Sequence, residues 1–218
     1  MMRFILSELM SQSILLPLIA GLIRLRRIDR RYQPFFILIL VGVLTEVISF
    51  ILIMPMHRSN LIPVNIYILV EWVLIAWQFH EWGFLSQRRR TFYALLAFTV
   101  GLWMVENLVF HGITQIVPYF RFFYYFLIVL LSVNEINFMI THYNRNLFGN
   151  PKFLICIGFI IYFIYMIVYY WAFEVSRFGD KDISIRITLL MAYVNALTNI
   201  IYAIAFLLIP APQKFTLK

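Results

Sequence analysis

The sequence predicts an all-α, polytopic transmembrane helix bundle of about seven spans, with its N-terminus outside and its C-terminus in the cytoplasm. Three observations carry this expectation. Of 218 residues, 63% are hydrophobic and only 13% are charged, where soluble domains run at about 45–50% and about 25%. The apolar residues gather into seven runs, each close to the ~20 residues that cross a bilayer core. The basic residues gather between the runs, most of them between alternate pairs. A soluble fold of this size must turn a large share of its side chains to water, and this chain lacks the polar ones to do so.

The seven runs cover residues 4–24, 34–55, 63–82, 91–110, 118–140, 152–173 and 185–209, within one transmembrane domain over residues 1–218. The first carries Glu8, Ser11, Gln12 and Ser13 and is followed by the strongest basic cluster in the chain. A cleaved leader has the opposite order, charge first, so the expectation is a retained helix, kinked at the interior Pro17. Pro34, Pro63, Pro118 and Pro151 stand near the starts of later runs, where a missing N–H leaves nothing unsatisfied that was not already so. Period-two alternation is absent, which argues against an outer-membrane barrel.

Orientation follows from the loops. One set holds 12 basic residues: Arg24, Arg26, Arg27, Arg30, Arg31, Arg88, Arg89, Arg90, Arg145, Lys152, Lys214 and Lys218. The other set holds five: Arg3, Arg58, Arg177, Lys181 and Arg186. The positive-inside rule places the richer set in the cytoplasm. Topology therefore accounts for the net charge of +8, and nucleic acid is not an expected partner. The expected partners are the lipid bilayer and, at Arg24, Arg26, Arg27, Arg30 and Arg31, a cytoplasmic protein or anionic lipid headgroups.

Several chemistries are excluded or left without support. The single Cys156 permits no internal disulfide and no cysteine-based metal site. His57, His80, His111 and His142 fall near span ends on both sides, too scattered for one metal centre. The seventh run has no lysine, so no retinal Schiff base can form there. Nucleotide-binding, zinc-protease and serine-hydrolase motifs are missing. No cofactor, metal or catalytic set is assigned.

The informative residues are polar ones inside the spans. An ionisable group at the bilayer centre costs at least about 2.5–3.5 kcal/mol and therefore faces the bundle interior. Glu46 and Glu71 fall near the middle of the second and third spans, Glu106 in the outer part of the fourth, Glu135 in the inner part of the fifth, and Arg121 at the outer start of the fifth. Matching depth suggests an Arg121–Glu106 ion pair. Glu71, with no basic residue at its predicted depth, is the candidate proton-exchanging group. Asn65 on the third span, Asn107 on the fourth, and Asn195, Asn199 and Tyr202 (with Thr188) on the seventh complete the candidate ligand- or proton-binding set. Gly42, Glu46 and Ser49 share a face of the second span, and Gly158, Tyr162, Tyr165 and Tyr169 a face of the sixth. Two readings stand side by side for the neutral stripes: interhelical packing, or the lining of a polar interior open toward the outside.

Leu44-Thr45-Glu46, Asn65-x-Tyr67 with Glu71-Trp72, Glu106-Asn107, Arg121 and Asn199-Ile200-Ile201-Tyr202 together resemble an uncharacterised family of small seven-span proteins in bacteria of the Bacteroidetes type. The resemblance covers nearly the whole chain, implies a bacterial inner membrane, and brings no activity. A more distant similarity to lysoplasmalogenase-like membrane hydrolases is not carried over, because those use intramembrane aspartates and no span here holds one. Three function classes remain: a ligand-binding or sensing module working with a separate partner, which is the favoured reading, a small-solute or proton-coupled transporter, and an intramembrane lipid-modifying enzyme.

Overall fold

The computed structural model describes residues 10, 12–83, 89–110, 112–115, 118–142, 146–176 and 181–210, with the side chains of 173–176, 181–185 and 188 left aside. Every regular element among them is helical: α1 Leu15–Arg24, α2 Gln33–Ile53, α3 Leu61–Glu81, α4 Arg89–Met104, α5 Pro118–His142, α6 Pro151–Ser176 and α7 Lys181–Leu208. Six helical stretches are long and apolar enough to cross a membrane: Arg30–Ile53, Leu61–Glu81, Arg89–Phe110, Pro118–His142, Pro151–Ala172 and Leu189–Leu208. α1 has ten residues and is not among the six. The start of the expected first span, with Glu8, lies outside the described residues, as do Arg3, Arg88, Arg145, Arg177, Lys214, Lys218 and the side chains of Lys181 and Thr188.

Local chemistry sets the helix ends. Pro17 can give no hydrogen bond to Ser13, and its ring crowds that carbonyl; the chain is tightened into a 3-10 turn at Gln12–Ile14 just before α1. Asn150 caps α6 by accepting from the Lys152 N–H at 3.0 Å, and Pro151 follows at the first helical position. α2 lacks a local cap. Gln78 of α3 serves it instead, accepting from the Phe35 N–H at 2.9 Å and donating to the Arg31 carbonyl at 2.5 Å. The Arg24 guanidinium donates to the Leu207 and Ile209 carbonyls at the end of α7, which places a cation on the negative pole of that helix.

The helices pack in chain order around a ring. α1 lies between α2 and α7, α6 between α5 and α7, and α3 against α2, α4 and α5. These end-to-end contacts bring Arg24, Arg31, Trp82 and Lys152 to one end of the bundle, hereafter the basic end. Large apolar side chains point outward, including Ile23, Leu108, Phe110 and Trp171, as they do where the surrounding solvent is hydrocarbon.

The basic half is filled with aromatic rings. Phe35 stacks on Phe206 at 5.0 Å and meets Tyr202 at 5.1 Å and Phe159 at 5.9 Å edge-on. Gly158 is what lets α6 and α7 close here, because a Cβ at that position would run into the Tyr202 ring. That ring is held between Phe35 and Phe159 and has nowhere to move. Gly158→Val should therefore lower stability by about 1–3 kcal/mol through overpacking. The check is thermal unfolding in detergent against Gly101→Val, a helical site with open space around it.

Candidate functional site

Toward the other end the helices stand apart around a cavity of about 460 Å³. Its wall carries Gly42, Glu46 and Ser49 from α2, Tyr67 and Glu71 from α3, Arg121 and Tyr125 from α5, Tyr162 and Tyr170 from α6, and Asn195 from α7. Asn60, in the connection before α3, lies at its rim. A Cβ at Gly42 would sit 2.9 Å from Ile14 Cδ1 and 3.4 Å from the Tyr67 hydroxyl, so this glycine lets Ile14, in the turn before α1, pack closely on α2.

Two opposite charges share this space without touching. Arg121 is 2% exposed. Its Nη2 donates to Asn65 Oδ1 at 2.8 Å, its Nη1 to the Tyr170 hydroxyl, and the guanidinium lies 5.0 Å from the Tyr170 ring centroid. Nε is buried without a hydrogen-bond partner. Glu71 accepts from the Tyr67 hydroxyl at 3.1 Å through one oxygen and from the Tyr124 hydroxyl at 2.7 Å through the other. Glu71 was singled out because no basic residue lies at its predicted depth; Arg121, expected nearer the outer end, lines the same cavity.

Asn65 fixes the arginine. Its backbone carbonyl accepts from the Trp103 indole at 3.0 Å, and its Nδ2 donates to the Ile113 and Gln115 carbonyls at 2.7 and 2.8 Å. The Trp72 indole donates to Thr99 at 2.7 Å and locks α3 to α4 deeper in the bundle. One amide side chain therefore joins the charged group of the cavity to the loop beyond α4.

Glu106 and Arg121 do not form the expected ion pair. α4 continues as a π-helix over Val105–Phe110, a wider coil common where a side chain must be redirected. From there both Glu106 oxygens reach the first turn of α5, accepting from the Tyr119 and Phe120 N–H groups at 2.9 and 2.6 Å. A carboxylate at a helix N-terminus is favourable on charge as well as hydrogen bonding. Glu106→Leu should cost about 2 kcal/mol, and Glu106→Gln clearly less, measured as detergent-phase unfolding midpoints.

The remaining candidates divide. Asn107 is buried in the π-helix that follows α4, donating to the Trp103 carbonyl at 3.0 Å, and is not part of the cavity wall. Asn199 donates to Ser13 at 2.8 Å and to Asn195 at 3.3 Å. Asn199 and Tyr202 line a small void of about 60 Å³ beneath Tyr67 and Glu71. An apolar groove between α1 and α2, lined by Leu15, Val43, Val47 and Phe50, shares Ile14 and Glu46 with the main cavity. Sequence reasoning missed Tyr124 as the second donor to Glu71, and missed the ion pair of Glu135 with Lys152. Among the described residues no cluster of His, Cys, Asp or Glu could hold a metal ion.

No protein-family model, curated protein or solved structure matches the chain. Fold and site define an all-helical bundle with several membrane-length apolar helices around an interior polar cavity, which fits a multi-pass membrane protein.

Proposed function

We propose that the chain is a seven-span protein of a bacterial inner membrane, oriented with Asn60 and the cavity mouth outside, that binds a small polar ligand and passes its occupancy to a cytoplasmic partner at Arg24, Arg26, Arg27, Arg30 and Arg31. The seventh span is the first apolar run, of which α1 is the inner part. The observation that carries the reading is the cavity with buried Arg121 and Glu71 on its wall. Intramembrane charges are expensive, and two held apart on the wall of a cavity suit a ligand better than they suit packing. The aromatic seal at Phe35, Phe159, Tyr202 and Phe206 closes the basic end, which favours binding over passage.

Proton- or solute-coupled transport is the second reading, favoured by one observation. The void lined by Thr198, Asn199 and Tyr202 continues from Glu71 toward the basic end, as a pathway opened by movement of the seal would require. Native mass spectrometry of gently extracted protein tests the favoured reading. A small molecule should be retained by wild type and lost from Glu71→Gln, while a soluble partner, if retained, stays with both. Equal small-molecule occupancy in both samples would place the ligand elsewhere.

A further inference from the structure

We propose that the ligand is a zwitterion, its acid group seated on Arg121 and its ammonium against Glu71. This rests on the ligand-binding reading and adds the chemistry of what is bound.

The inference comes from how the two charges are held. A guanidinium and a carboxylate on the wall of one low-dielectric cavity attract each other strongly. Here each is solvated by neutral dipoles instead: Arg121 by the Asn65 carbonyl oxygen and the Tyr170 hydroxyl, Glu71 by the Tyr67 and Tyr124 hydroxyls. Among the described residues no carboxylate forms an ion pair with Arg121. Asn65 and Tyr124 are themselves buried, and Asn65 is anchored by three further bonds, which holds the guanidinium away from Glu71. A fixed cation and a fixed anion with a cavity between them form a template for a molecule carrying the same two charges reversed.

The walls fit the ammonium half in particular. The rings of Tyr67, Tyr125 and Tyr162 line the space around the Glu71 carboxylate. Aromatic rings with carboxylates attract ammonium groups through both the ring quadrupole and the charge. The polar rim at Asn60, with Ser49 further inside on the wall, suits a solute arriving from water. A lipid headgroup arriving by the α1–α2 groove would offer the same chemistry, so the source is separated experimentally.

The test is calorimetric titration of the full chain in phosphatidylglycerol nanodiscs. The probes are trimethylammonium carboxylates with one, two and three methylenes between the charges. Each is paired with its carbon isostere lacking the ammonium charge and with the matching alcohol lacking the acid. At least one zwitterion should bind at least about 30-fold more tightly than both of its single-charge analogues, the size of effect expected when a buried charge loses its counter-charge. Arg121→Gln should erase the advantage over the alcohol alone, and Glu71→Gln the advantage over the carbon isostere alone. Each variant thus shows a charge-specific loss that misfolding cannot imitate. Weaker binding in phosphatidylcholine discs would assign the site to a lipid headgroup, and equal binding to a free solute. A single-charge analogue binding as well as its zwitterion would overturn the proposal while leaving a ligand cavity in place. Binding of no probe, with a singly charged molecule found by mass spectrometry, would do the same. No probe bound and no retained molecule would sink both readings.

Discussion

Lys152→Met should destabilise the protein by about 3–5 kcal/mol, the cost of leaving a buried charge without its partner. Lys152 and Glu135 form an ion pair in which the lysine side chain is 13% and the glutamate 7% exposed. The ammonium also donates to the Trp82 carbonyl at 3.3 Å and lies 5.2 Å from the Trp82 ring centroid. One side chain at the start of α6 thereby ties together α5 and the end of α3. Removing it leaves the 7% exposed Glu135 side chain without the cation it pairs with. The double variant Lys152→Met with Glu135→Leu should recover most of the loss, since an apolar pair of similar volume avoids the desolvation of both ions. Unfolding midpoints of the wild type, two single variants and the double variant, closed as a cycle, check this. Equal destabilisation by both singles and their sum in the double would mean that the pair contributes no coupling.

Asn65→Leu should reduce both stability and ligand affinity. The side chain is completely buried and makes three hydrogen bonds, two to the loop carbonyls of Ile113 and Gln115 and one from Arg121. The loop carbonyls can turn toward water, but the buried Arg121 cannot, and loses one of its two acceptors. The expected cost is about 2–4 kcal/mol, because a hydrogen bond to a charged group is the largest single loss. Affinity should fall with it, since the guanidinium is then free to swing toward Glu71 and close the gap that a ligand fills. Unfolding in detergent and the same calorimetric titration read the two effects separately. A stability loss with unchanged affinity would show that Asn65 does not position Arg121.

Much of the architecture was legible because hydrophobic run length and loop charge are local properties. The six membrane-length helices fall within a few residues of six of the expected runs, and prolines mark the starts of four of them for a simple stereochemical reason. Glu46, Glu71 and Arg121 were visible as candidates because a charge in an apolar run is costly wherever it points. Their partners were not. Tyr124 and Tyr67 lie on different helices, and which hydroxyl reaches Glu71 depends on helix rotation that no periodicity specifies. The π-helix at Val105–Phe110 adds a residue to the turn and redirects Glu106 away from Arg121, so an argument from equal depth gave a plausible but absent pair. Lys152 was read as a topological charge in a loop, though its place in the first turn of α6 at the depth of Glu135 already held the signal for the ion pair.

The central claim is that the cavity of Glu71 and Arg121 opens outside, away from the basic end. Thiol labelling with a membrane-impermeant reagent tests it directly, helped by the fact that the native Cys156 is completely buried. Asn60→Cys at the rim and Ser49→Cys inside the cavity should label in intact cells, and Arg27→Cys only in inverted vesicles. Labelling of Arg27→Cys in intact cells, with Asn60→Cys and Ser49→Cys silent there, would reverse the orientation and contradict an outward-facing site.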